Sequence, residues 1–180
     1  MPHSLFHIPK DMINSYVDDS QTFKWNKYDK SCQRTTITIP PNIVKDIYAF
    51  TDLPNTSIND QYLAHYIKYN ITNEYQIDPH YDSCRVTIII YLRKNKSIKD
   101  SFYVDNKRVD NCWSNKDDTY GCLVMWREPG PETDEQFVMD GDWGDDSDDT
   151  DWHDRPRGPH HFGSFTGVGA RDILCLFLYI

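Results

Sequence analysis

The chain has 180 residues, 26% of them charged and 14% aromatic, with a formal net charge of −9. That length supports one buried core without disulfide or metal staples. No run approaches the ~18 apolar residues that cross a bilayer, and the start MPHSLFHIPKDM has no basic region followed by a long apolar one, so an intracellular, cytoplasmic protein with neither signal peptide nor transmembrane segment is expected.

In chain order, Lys10 to Val17 suits a short helix within an otherwise irregular first 34 residues. The alternation TTITI, residues 35–39, predicts a strand closed by Pro40-Pro41. Asn42 is placed to cap a helix, IVKDIYAF, with Ile43, Ile47 and Phe50 on one face. DLPNTSIND reads as a loop, and QYLAHYIKYNIT as either a short helix running into a strand or one strand. Ile77 to Leu92 reads as a single strand with Pro79 near its start, where a missing N–H costs least. Two short strands around the DNKR turn are expected in SFYVDNKRVDNCW, and another from Cys122 to Trp126. A glycine-rich approach then leads to a last strand, Asp172 to Ile180. This pattern is mainly β with flanking α: a sandwich or barrel over residues 65–180, behind a helical or irregular flank, residues 1–64, in one domain.

The charge is unevenly spread. Residues 134–154 hold nine Asp and one Glu without Lys or Arg, and the remaining 18 acids against 19 bases make a near-neutral domain. Neither part has the clustered basic face of a nucleic-acid binder. The insert reads first as a solvated loop, second as a rim attracting a basic substrate, and distantly as a calcium site, since it lacks the EF-hand order. Five cysteines (Cys32, Cys84, Cys112, Cys122, Cys175) are odd in number and include no CxxC pair. They suit reduced core thiols better than a disulfide framework or zinc knuckle.

The stretch DPHYDSCRVTIIIYL, residues 78–92, carries the chemistry. In an extended chain His80 and Asp82 point the same way. An imidazole beside a carboxylate is two-thirds of a 2-His-1-carboxylate iron site. On its own the pair fits a surface histidine beside a surface aspartate better. Near the C-terminus, His161 lies ten residues before Arg171, which opens the last apolar strand.

Together these motifs resemble the Fe(II)/2-oxoglutarate-dependent dioxygenases, nearest the prolyl 4-hydroxylase branch. HYDSCRVTIIIYL matches that branch's H-x-D followed by VTxxxYL, and HFGSFTGVGAR matches its His, spaced glycines and basic residue at ten. GCLVMW resembles the strand preceding the second histidine. The resemblance covers about residues 65–180 and implies a double-stranded β-helix, or jelly roll. It further implies that His80, Asp82 and His161 hold Fe(II), with open positions for 2-oxoglutarate and O2, and that Arg171 and Tyr91 take the far carboxylate of 2-oxoglutarate. Tyr69 resembles an upstream cosubstrate contact, although packing explains it equally well. Ascorbate is a further candidate requirement. His160 competes with His161, but the ten-residue spacing to Arg171 favours His161. His3, His7, His65 and His153 read as ordinary polar residues.

Strand alternation puts Arg171, Ile173, Cys175 and Phe177 on one face of the last strand, and Leu174, Leu176 and Leu178 on the other; Arg85, Thr87, Ile89 and Tyr91 share a face of the earlier one. KDSFYVDNK stands where many prolyl hydroxylases have GGxTxF, a departure expected to affect the pocket rim and thus the substrate. The reading is therefore a hydroxylase of a C–H bond in a protein, most simply at proline. Another amino-acid side chain, a small metabolite, or a non-catalytic jelly-roll module using the acidic loop are the alternatives. No nucleic-acid or membrane partner is expected, and oligomeric state is left open.

Overall fold

Residues 62–71, 86–94, 119–126 and 169–178 are rich in Ile, Val, Leu, Tyr and Thr, side chains that pack well on a pleated surface. They form the centre of a large antiparallel sheet. The computed structural model describes residues 3–18, 23–27, 29–54, 61–109, 113, 116–126 and 160–179. The acidic insert 134–154, which includes His153, and Cys112 lie outside the described residues. The strands are β1 (His3–Pro9), β2 (Asn26–Lys27), β3 (Cys32–Ile37), β4 (Tyr62–Ile71), β5 (Glu74–Tyr81) and β6 (Val86–Lys94). They continue with β7 (Lys99–Val104), β8 (Lys107–Val109), β9 (Thr119–Trp126), β10 (His160–Thr166) and β11 (Gly169–Leu178).

One sheet has the order β1-β9-β6-β11-β4-β3-β2, and a second β5-β10-β7-β8. From β4 onward the chain shuttles between them, with β4, β6, β9 and β11 in the large sheet and β5, β7, β8 and β10 in the small one. That traffic is the jelly roll. The large sheet buries both faces. Val86, Ile88, Ile90, Leu174, Leu176 and Leu178 pack outward on Val44, Ile47 and Tyr48 of α2 (Pro41–Ala49). On the inner face, Ile89, Tyr91, Leu123, Met125, Ile173 and Cys175 meet Phe102, Val104 and Phe165 of the small sheet. Burial on both faces is why VTIIIYL and DILCLFL read as near-continuous apolar runs. The alternation expected for the last strand is observed.

Four expectations change. Ile77 to Leu92 is two strands, because the chain crosses from one sheet to the other over residues 82–85. The segment HHFGSFT is strand β10, and Gly167 lies in the turn beyond it: it has φ +119°, and a Cβ there would sit 2.3 Å from the Ser97 carbonyl oxygen. The N-terminal flank is not merely helical, since β1 and β2–β3 extend both sides of the large sheet, around a 3₁₀ turn (Lys10–Met12) and a short α1 (Asn14–Val17). Asn42 does not cap α2; Pro40 occupies that position with Pro41 inside the first turn, where the fixed φ and missing N–H are tolerated. The buried face of α2 is accordingly Val44, Ile47 and Tyr48, and Phe50 is 43% exposed.

The undecided stretch QYLAHYIKYNIT is strand β4. Asp105 and Asn106 both have positive φ, 47° and 61°, the pairing a two-residue hairpin between β7 and β8 demands. Among the described residues no helix is long and apolar enough to cross a membrane. Cys32, Cys84, Cys122 and Cys175 are buried free thiols.

Candidate metal centre

Three groups converge at one end of the space between the sheets. His161 opens β10 and pairs with His80 near the end of β5, and Asp82 follows two residues later as the chain starts to cross over. On β5 the register slips between Ile77 and His80 while β10 advances only from Gly163 to His161. The extra residue falls in Asp78-Pro79, where Pro79 has no N–H to give to the ladder. This bulge puts His80 beside His161 rather than opposite its neighbour, with the two imidazole rings 4.2 Å apart.

The donor atoms of His80, Asp82 and His161 all lie within 4.8 Å of one another. Asp82 bridges the imidazoles, with Oδ1 3.7 Å from His80 Nε2 and Oδ2 3.7 Å from His161 Nε2. His80 Nδ1 lies 2.8 Å from the Asp78 carbonyl oxygen. A carbonyl only accepts, so Nδ1 carries the proton and Nε2 keeps its lone pair for a ligand. Thr87, which is 2% exposed, donates from Oγ1 to Asp82 Oδ2 at 2.6 Å. The Cys84 sulfur sits 3.2 Å from that hydroxyl. Burial, then the Asp82 charge, push the Cys84 thiol up to about 12, and the same two causes raise Cys175. Both thiols stay protonated, so the donor set is two nitrogens and a carboxylate.

Four residues along β10 from His161, Phe165 supports Arg171 of β11, with the guanidinium carbon 3.9 Å from its ring centroid. Tyr69, Trp113 and Tyr91 complete an aromatic box at 5.2, 5.5 and 5.8 Å. Arg171 is 2% exposed. Its Nε donates to Asp100 Oδ2 at 3.1 Å, while Nη1 is buried without a hydrogen-bond partner among the described residues. A buried, unpaired guanidinium donor costs a few kcal/mol, on the order of 1–3. Tyr69 lies across from Arg171 in the β4–β11 pairing, and burial raises its hydroxyl pKa despite the nearby Arg171 charge. Phe102 covers Gly163, where an added Cβ would come 2.9 Å from its ring, and packs 5.8 Å from the His161 ring.

The expected residues therefore gather in two groups: His80, Asp82 and His161 at one end, and Arg171, Tyr91 and Tyr69 at the other. His160 stands outside them, its ring against Tyr81 and Phe162. His65 packs edge-on to Phe177, His3 and His7 lie on β1, and none of these joins the group. Sequence reasoning missed Thr87, Lys94, Asp100, Trp113 and Phe165. Lys94 escaped because of a bulge: Tyr91 pairs with Ile173 and Arg93 with Asp172, so Leu92 is the surplus residue. The faces swap there, turning Arg93 toward Asp172 and Lys94 toward Asp100. The KDSFYVDNK departure is likewise more than rim, since its Asp100 reaches Arg171. Beside this end opens a cavity of about 280 Å³ lined by Lys10, Arg93, Lys94 and Lys96 with Tyr91 and Trp113 among others.

No protein-family model matches the chain, and no curated protein matches it by sequence. Among solved structures, a prolyl-4-hydroxylase from Pseudomonas putida superposes with a TM-score of 0.51 at 11% identity, over 99% of this chain and 92% of that one. An oxidoreductase of the 2OG-Fe(II) oxygenase family from Burkholderia pseudomallei gives 0.48 at 8% identity, over 97% and 84%. KdgF from a Halomonas species gives 0.46 at 11%, over 92% and 94%. At such identities the likeness is one of architecture: this chain is built on the same jelly roll as the Pseudomonas prolyl-4-hydroxylase.

Proposed function

We propose that the protein is an Fe(II)- and 2-oxoglutarate-dependent oxygenase that hydroxylates a C–H bond, with peptidyl proline the first substrate class to test. The observation that carries this reading is the pairing of two features between the two sheets. A His/Asp/His cluster with donor atoms within 4.8 Å stands at one end, and a buried guanidinium whose Nη1 has no hydrogen-bond partner among the described residues at the other. Two neutral imidazoles and one carboxylate suit Fe(II) and leave further positions for ligands. An unpaired buried arginine donor suits a carboxylate, which it binds as a fork. Proline as substrate rests on the sequence resemblance.

In this reading His80, Asp82 and His161 hold the metal. The Asp78 carbonyl fixes the tautomer of His80, and Thr87 fixes the Asp82 carboxylate. Arg171 anchors the far carboxylate of 2-oxoglutarate through its remaining donors, beside Tyr91 and Tyr69. Phe102 packs by the His161 ring and Phe165 and Trp113 by Arg171, and apolar neighbours strengthen the charge interactions beside them. When bound, iron and 2-oxoglutarate supply the O2 activation that yields succinate, CO2 and a hydroxylated product. The chain's own part is to bind, orient and keep dry.

Purified protein given Fe(II) should turn 2-oxoglutarate into succinate, and the double change His80→Ala with Asp82→Ala should abolish both that turnover and Mn(II) binding. Equal decarboxylation by wild type and double variant would sink the proposal. Mass spectrometry of proline-containing peptides for a gain of one oxygen then tests the substrate class.

A further inference from the structure

At the arginine end of the cleft, two cations share one anion. Asp100 lies on β7 opposite Phe165 of β10. Its Oδ2 accepts from Arg171 Nε at 3.1 Å and from Trp113 Nε1 at 2.7 Å. Its Oδ1 stands 3.5 Å from Lys94 Nζ. Two hydrogen bonds and a paired strand hold this carboxylate in place.

We infer that Asp100 determines which anion this end of the cleft accepts: by bridging Arg171 and Lys94 it leaves the cluster one positive charge in excess, which selects a single carboxylate over a doubly charged phosphate-type group. The inference rests on the reading of Arg171 as the anchor for the far carboxylate of a 2-oxo acid. An unengaged arginine offers a ligand its Nε edge as part of a bidentate fork. Here Asp100 has taken Nε, so the ligand meets the Nη nitrogens, where Nη1 is buried without a partner among the described residues. A carboxylate arriving there brings the Arg171–Lys94–Asp100 cluster to neutrality. A dianion would leave a net negative charge among the rings of Tyr69, Tyr91, Phe165 and Trp113, where the dielectric is low and an uncompensated charge is costly. Lys94 is the second cation of the site, brought to this face by the Leu92 bulge.

The test is isothermal titration of Mn(II)-loaded protein with two ligands. One is 2-oxoglutarate; the other is its analogue with a phosphonate in place of the far carboxylate, used at mildly alkaline pH where the phosphonate is a dianion. Wild type should prefer 2-oxoglutarate. Asp100→Asn keeps the shape and an acceptor for Trp113 but adds one unit of net positive charge, and should shift the preference toward the phosphonate by about tenfold or more, ~1.4 kcal/mol. Lys94→Met removes one positive charge and should shift it the other way. General loosening of the site cannot produce opposite signs. A preference unmoved by either change, or moved the same way by both, overturns the inference while leaving the 2-oxo acid reading intact. Metal-loaded wild type that binds neither ligand overturns that reading, and this inference with it.

Discussion

Thr87→Val isolates one hydrogen bond at the candidate metal centre. Valine keeps the β-branch and nearly the volume of threonine, so the strand and its packing should be preserved, and only the hydroxyl facing Asp82 is lost. That hydroxyl donates to the carboxylate at 2.6 Å from a side chain 2% exposed, where water has no route to replace it. A hydrogen bond to a charged group is worth roughly 1.5–3 kcal/mol. At 1.4 kcal/mol per decade, that corresponds to a loss of about 10- to 100-fold in metal affinity, the range typical when a ligand's outer partner is removed. The assay is Mn(II) titration followed by electron paramagnetic resonance or calorimetry, with circular dichroism to confirm the fold. Thr87→Ser retains the hydroxyl and should bind close to wild type. If valine and wild type bind Mn(II) equally, Thr87 does not orient Asp82 and the account of the carboxylate is wrong.

Three further outcomes are expected. His161→Ala should lose measurable Mn(II) binding and His160→Ala should retain it, because only His161 shares the cluster with His80 and Asp82; the reverse result would move the ligand by one residue. Tyr66→Phe should cost roughly 1.5–3 kcal/mol in urea unfolding, since the Tyr66 hydroxyl donates at 2.7 Å to Asp172, a fully buried carboxylate whose other donor is Arg93; no change in midpoint would mean that Arg93 alone satisfies it. Burial is the main cause lowering the pKa of both His3 and His65 below the ordinary 6.5. Below that value the unfolded chain takes up protons the folded chain resists, so stability should fall as pH drops through 6.5 and level off beneath the folded-state values. His65→Phe should flatten part of that slope in denaturant titrations between about pH 5 and 8, and an unchanged slope would refute the assignment.

Much of the site was legible because strand periodicity converts spacing into direction. Arg171, Ile173 and Cys175 face inward as alternation requires, and the spacing of His80 to Asp82 brings both beside His161, with donor atoms within 4.8 Å of one another. What could not be read were irregularities. Periodicity carries no sign that the chain changes sheets between Asp82 and Val86, so one strand was expected where there are two. Nor does it reveal that Leu92 is a bulge, which hid Lys94. Asp100 and Trp113 matter only through contacts between elements distant in sequence, and no local pattern announces such meetings. The glycine-rich approach to the last strand hid β10 because glycine is a poor strand former, yet Gly163 is accommodated where Phe102 leans over the strand.

The bulge at Asp78-Pro79 has a second consequence, for solubility. Among the described residues β5 is the outer strand of the small sheet, and an outer strand presents the kind of row of backbone groups on which another chain can add a strand. The register slip at Asp78-Pro79 breaks the regular spacing that a visiting strand would need to match. The irregularity that carries His80 to its neighbours therefore also makes this margin a poor template for self-association. Straightening β5 by replacing Pro79 would disturb the candidate metal centre and this irregular margin together.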